Sequence, residues 1–159
     1  MRSRVIAIAC AAVVSACAAS QEPAPARPLE GLLVSTATML VVRDLRRSVP
    51  FYRDSFGFDV QINQPGIALL ARGDMLLYLV SESPPSPDKP GVTLAPPPEP
   101  DHTPVNLVFR VRDARRAYTE LERRGVLFLA EPTRPPWGGL RCFARDPDGY
   151  LIEIEQPPP

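Results

Sequence analysis

The chain has 159 residues, 45% of them hydrophobic, and a formal net charge of zero. That length suits one domain with a sizeable core and falls short of two ordinary ones. The balanced charge excludes the electrostatic footprint of a nucleic-acid-binding protein. Lys89 is the only lysine among the 18 basic residues, an arginine bias that reflects composition more than a binding patch. The 21 prolines concentrate at 23–28, 84–104, 132–136 and 157–159. Proline lacks an N–H and resists helix interiors and central strands, so these runs are expected to be connectors and tails.

At the N-terminus, Arg2 and Arg4 precede an apolar run from Val5 to Val14 and then small residues. This pattern predicts a secretory signal, too short for a spanning helix. Val14-Ser15-Ala16-Cys17 resembles a bacterial lipobox, in which the cysteine becomes the lipidated first residue of the mature chain. The expected division is a lipoprotein-type signal over 1–16, lipidation at Cys17 and a flexible tether over 17–35; the alternative is ordinary cleavage near Ala18. Ala18 after the cysteine points to an outer-membrane anchor facing the periplasm. Cys10 then leaves with the signal and Cys17 carries lipid, so Cys142 has no partner for an intrachain disulfide.

The body is an internal repeat. Aligning Val42-Arg43-Asp44 with Val111-Arg112-Asp113 gives an offset of 69 residues. Each copy predicts a strand, an aspartate cap, an amphipathic helix, a glycine and three further strands. Asp44 is expected to cap the first helix, in which Pro50 is then an interior fault; if the helix proper starts from Ser48, Pro50 falls in its first turn, where proline is tolerated. Its stripe is Leu45, Val49, Tyr52 and Phe56; that of the second helix is Ala114, Ala117, Tyr118 and Leu121. After the second helix, strands are expected at 126–130, 140–144 and 150–155. The last follows Asp146-Pro147-Asp148-Gly149, a sequence built for a tight turn. The fold class is α+β: modules 36–80 and 104–156, joined by a proline-rich linker over 81–103, with a tail at 157–159.

Val42-Arg43-Asp44-Leu45, Ser48, Phe51-Tyr52-Arg53-Asp54, Phe56-Gly57-Phe58, Pro136-Trp137-Gly138 and Asp146-Pro147-Asp148-Gly149 with Ile152-Glu153 together resemble the vicinal oxygen chelate (VOC) superfamily of glyoxalases, bleomycin-resistance proteins and extradiol dioxygenases. The resemblance implies one domain over 36–156, two βαβββ modules with curled sheets around a cleft, and a homodimer. It also implies four metal-ligand positions, which fall here on Ala37, Tyr78, Asn106 and Glu153. Of these, only Glu153 is a usual ligand, and one carboxylate does not hold zinc, nickel or iron. The expectation is therefore no resident metal and no cofactor. His102, the only histidine, lies in a proline-rich loop with Glu99 and Asp101 and reads as a surface residue.

Strand alternation assigns Ala37, Met39, Val41, Leu76, Tyr78, Val80, Asn106, Val108, Arg110, Leu151, Glu153 and Glu155 to the cleft face. The expected ligand-binding residues are Tyr78, Asn106, Arg110, Trp137 and Glu153, in a largely apolar lining. Each has a structural alternative. Glu153 and Arg110 neutralise one another, Tyr78 is cross-strand packing, and Trp137 plugs the core instead of stacking on a flat ligand. Glu155 is expected to face solvent. The leading reading is an envelope-anchored, metal-free binder of a small apolar or aromatic molecule, of bleomycin-resistance type. The alternatives are a metal-dependent lyase, isomerase or dioxygenase with atypical ligands, acid/base catalysis by Glu153 and Tyr78, and a partner-binding envelope lipoprotein with a vestigial cleft.

Overall fold

The computed structural model of the protein describes residues 31–103 and 105–159. The expected signal, Cys17 and most of the tether lie outside the described residues. The chain divides into an N-terminal unit, residues 1–34, and a compact unit from Ser35 to Pro159. Residues 31–34 of the first are exposed turn and coil.

The compact unit contains two βαβββ modules. The first comprises β1 (Ala37–Val42), α1 (Leu45–Phe56), β2 (Asp59–Gln64), β3 (Ile67–Arg72) and β4 (Met75–Ser81). The second comprises β5 (Asn106–Arg110), α2 (Ala114–Arg123), β6 (Leu127–Phe128), β7 (Leu140–Arg145) and β8 (Leu151–Gln156). Each makes its own four-stranded sheet, ordered β1-β4-β3-β2 and β5-β8-β7-β6, with the first pair of each parallel. The sheets stay open and do not close on one another. The fold is α+β.

Local chemistry explains the elements. Asp44 and Asp113 sit in extended backbone and cap the helices, accepting from the N–H groups of Arg46 and Arg116. The first helix begins at Leu45, not near Ser48, so Pro50 lies in its second turn. The carbonyl of Arg46 that proline leaves unbonded belongs to an exposed residue and can be solvated. The strand expected over 126–130 shortens to Leu127–Phe128, because pairing with β7 runs out as the chain approaches Pro132.

One core serves both modules. Leu40, Val42, Tyr52, Phe58, Leu70, Leu77 and Leu79 of the first module join Leu107, Leu121, Cys142, Ile152 and Ile154 of the second in a single buried cluster. Phe56 of α1 stacks on Phe109 of β5 with centroids 4.7 Å apart, and Phe58 meets the same ring edge-on. The Cys142 thiol lies in this core, and burial pushes it up to about 11, so it carries little thiolate at neutral pH.

The polar seam between the modules is the turn from Asp146 to Gly149. Asp146 accepts from the Tyr52 hydroxyl at 2.8 Å and from the backbone N–H groups of Asp148 and Tyr150. Asp148 accepts from the Ser48 hydroxyl at 2.7 Å and the Arg43 N–H at 2.8 Å. Burial pushes the Asp146 carboxyl above its usual range, while these hydrogen bonds act in the opposite direction. Gly149 has φ +95°, and a Cβ there would come within 3.2 Å of Pro100, where the 81–103 segment crosses the turn. Arg43 and Arg145 fasten that crossing by donating to the carbonyls of Pro97 and Pro100.

Tyr150 completes the seam. Its hydroxyl accepts from the Val41 N–H and donates to the Val41 carbonyl, both at 3.1 Å. A phenol from the second module thus satisfies the free edge of β1. Replacing Tyr150 with Phe leaves both backbone groups buried and unpaired, at a cost of about 2 kcal/mol. Urea denaturation should show a lower midpoint with an unchanged slope; an unchanged midpoint would show that water substitutes for the phenol.

Candidate functional site

The outward face of the second sheet follows from strand parity. Pairing of β5 with β8 and of β8 with β7 sets three rows across the strands: Asn106, Leu151, Arg145; Val108, Glu153, Phe143; and Arg110, Glu155, Arg141. The alternate residues Leu107, Cys142, Ala144, Ile152 and Ile154 form the core beneath. Glu153 stands at the centre of the face and is only 8% exposed. A carboxylate this covered needs partners. Its Oε2 accepts from Asn106 Nδ2 at 2.9 Å, and its Oε1 lies 3.5 Å from Arg141 Nη1. Arg110 reaches Glu155 instead, at 3.9 Å. The expected alternative of an Arg110–Glu153 pair is therefore replaced by an Arg110–Glu155 contact within one row, while Glu153 takes the diagonal neighbours Asn106 and Arg141. The Glu155 side chain is 28% exposed and so not freely solvated.

Trp137 stands beside this face. The Arg141 guanidinium lies 4.4 Å from its ring centroid and 5.1 Å from that of Phe143. Trp137 remains 60% exposed, so it does not plug the core. Its loop is built from Pro135 and Pro136, a turn closed by the Gly138 N–H donating to the Pro135 carbonyl, and Gly139. Gly139 is obligatory: a Cβ there would meet the Gln156 carbonyl oxygen at 2.3 Å. The Thr133–Arg141 bridge ties the loop to β7 and carries Trp137 over Arg141.

The first sheet offers a different face. Met39, Tyr78 and Leu69 lie in one row, with Ala37, Leu76 and Ala71 on one side and Val41, Val80 and Ile67 on the other. β2 extends these rows with Ile62, Asp59 and Gln64, so the face is apolar at its centre apart from Tyr78 and polar at its β2 edge, and Met39 is 53% exposed. Among the described residues no hydrogen bond joins Tyr78 to Asn106 or Glu153. Of the five expected binding residues, the structure joins Asn106 to Glu153 directly. It brings Trp137 to them through Arg141, sets Arg110 one row away and leaves Tyr78 on the other sheet.

Arg141 and Phe143 are the site residues that sequence reasoning passed over. Their signal was parity: both alternate with core-facing Cys142 on a strand whose neighbour carries Glu153. No motif marks them.

These observations can be set beside known proteins. The model of the Glyoxalase/Bleomycin resistance protein/Dioxygenase superfamily matches residues 35–154. The chain belongs to this superfamily. A relative in Bacillus subtilis (strain 168), the uncharacterized protein YraH, is 30% identical over 126 residues, covering 72% of this chain and 91% of YraH. Lactoylglutathione lyase from Agrobacterium tumefaciens superposes with a TM-score of 0.62 at 22% identity, covering 78% of this chain and 92% of the lyase. TnmS3, an antibiotic binding protein from Streptomyces sp. CB03234, superposes with a TM-score of 0.55 at 27% identity, covering 78% of this chain and 97% of TnmS3.

The superfamily's metal does not fit the residues present. Its four positions form two equivalent pairs: Ala37 with Tyr78 in the first module, Asn106 with Glu153 in the second. Ala37 has no donor atom. The Asn106 amide nitrogen is committed to Glu153, and Glu153 also faces a guanidinium. Among the described residues no three His, Cys, Asp or Glu side chains are grouped to hold an ion. His102 pairs with Glu99 at 2.9 Å on the surface, and Asp101 pairs with Arg145 at 2.7 Å.

Glu153→Gln keeps an acceptor for Asn106 but removes the charge facing Arg141. The expected result is a stability loss of about 1 kcal/mol and a shift in the emission of Trp137, the single tryptophan, as Arg141 loosens. Fluorescence-monitored unfolding checks both; an unchanged spectrum and midpoint would show that the 3.5 Å contact contributes nothing.

Proposed function

We propose that this protein binds a small flat apolar or aromatic molecule on the outward face of the second sheet, without a resident metal. The observation that carries this reading is Glu153. At the position where the resemblance puts a metal ligand, it accepts a hydrogen bond from Asn106 and faces the charge of Arg141, beside an exposed tryptophan. Burial without an open coordination position suits packing against an organic ligand better than activating water. The similarity to TnmS3, an antibiotic binding protein, supports this reading. A second copy of the chain covers the exposed apolar face of Met39, Ile62 and Tyr78, giving a homodimer in which the ligand is enclosed.

Isothermal titration against a panel of planar aromatic compounds is expected to find a binder, and Trp137→Ala to weaken it by about tenfold, the value of one lost aromatic stacking contact. Native mass spectrometry of the same sample should show a dimer without bound metal. One tightly held metal ion per chain, with turnover of a substrate, would replace this reading with an enzymatic one.

The protein is also read as anchored in the cell envelope by lipid on Cys17, on the strength of Val14-Ser15-Ala16-Cys17 after a basic and apolar leader. Cys17→Ser should move the protein from the membrane fraction to the soluble fraction or leave it unprocessed. Unchanged fractionation and processing would dismiss the anchor.

A further inference from the structure

The position that a metal would give positive charge in this superfamily is served here by a side chain. Arg141 presents its guanidinium to Glu153 Oε1 at 3.5 Å, next to the carboxylate that would otherwise ligate an ion. Its plane is held by the rings of Trp137 and Phe143, at 4.4 and 5.1 Å from its central carbon. A guanidinium carries five N–H donors in a rigid fork. The one side-chain acceptor found for them among the described residues is Glu153 Oε1, at the outer limit of a hydrogen bond. The Arg141 side chain is 30% exposed, so the fork is covered on its flanks and open to solvent at an edge.

The neighbouring row is short of acceptors in the same way. Arg110 has Glu155 at 3.9 Å, beyond hydrogen-bond distance. Glu153 divides its two oxygens between Asn106 and Arg141. The face therefore offers more donors than it satisfies, and the best oriented of them lie beside an exposed indole.

We propose that Arg141 is the anion-recognition group of this face, and that the ligand is a planar aromatic molecule bearing a carboxylate or phenolate. The ring packs on Trp137 and the oxygen anion takes the open edge of the guanidinium. The inference rests on the binding reading above and adds the charge of the ligand to it. The ring stacking fixes the fork before the ligand arrives, so little side-chain entropy is lost on binding. A charge-assisted pair in a half-covered setting separates an acid from its neutral amide.

The test is titration of the full chain with 2-naphthoate and with 2-naphthamide, which share a ring system and differ in charge. The expected result is that wild type binds the acid about tenfold tighter than the amide, the scale of one charge-assisted hydrogen bond. Arg141→Met is expected to erase that difference, bringing acid and amide to equal affinity in the variant, with circular dichroism confirming the fold. Arg141→Lys, which keeps the charge without the flat fork, should retain part of it, and added salt should shrink it in wild type. Equal binding of acid and amide by wild type overturns this inference and leaves the binding reading standing. So does an acid preference that survives in Arg141→Met or, if that variant does not fold, is undiminished in Arg141→Lys. Binding of neither compound overturns both.

Discussion

The structure depends on a pair of buried carboxylates in a five-residue connection. Asp146 and Asp148 leave the second sheet and are satisfied largely by the first module: Tyr52 and Ser48 on α1, and the backbone N–H of Arg43 before it. Two covered carboxylates this close are costly unless every oxygen is met. The described residues contain no buried side-chain polar atom without a partner. The satisfied arrangement therefore specifies one docking of the modules, because a small slide of α1 would strand both acids. The Tyr150 phenol extends the same logic to the free edge of β1.

With the modules fixed by this seam, their outward sheet faces are free to differ. The repeat gives each module the same strand order, yet the faces diverge chemically. The first is apolar at its centre with one phenol and has Asp59 and Gln64 at its β2 edge; the second carries arginines and glutamates beside an indole. In the first, Ala37 and Tyr78 hold the pair of positions that Asn106 and Glu153 hold in the second. A metal centre needs both pairs to donate. Here Ala37 has no donor atom, and Glu153 is engaged by Asn106 and Arg141.

Glu153 shows how one residue changes meaning with its surroundings. By position it is a ligand of the superfamily's metal; by contact it is half of an ion pair. The contact governs the chemistry, since a carboxylate facing a guanidinium has little reason to recruit a second cation. Arg141 in turn is placed by neighbours on the same strand and its preceding loop, whose glycine permits an approach to Gln156 that any side chain would block.

Much of this was legible in the sequence. The offset of 69 residues, the aspartate caps, the alternation of core and outward positions and the superfamily itself follow from local spacing, because caps, turns and parity are short-range properties. The Asp44 cap holds with Pro50 inside the helix, and the Ser48 start is not needed because the carbonyl that proline frees belongs to an exposed residue. The partners of Glu153 and the role of the Asp146–Gly149 turn were not legible. Parity gives the side of a sheet on which a residue stands, but not which of several diagonal neighbours its side chain reaches. Likewise, the turn residues announce a turn without announcing what their carboxylates accept from. The sequence by itself determined the modules and the alternation of their faces; the tertiary structure alone decided that Asp146 and Asp148 lock the modules and that Glu153 belongs to Asn106 and Arg141. The physical reason is that these hydrogen bonds join residues 47 to 105 positions apart, or cross between strands, where no local rule ranks one partner above another.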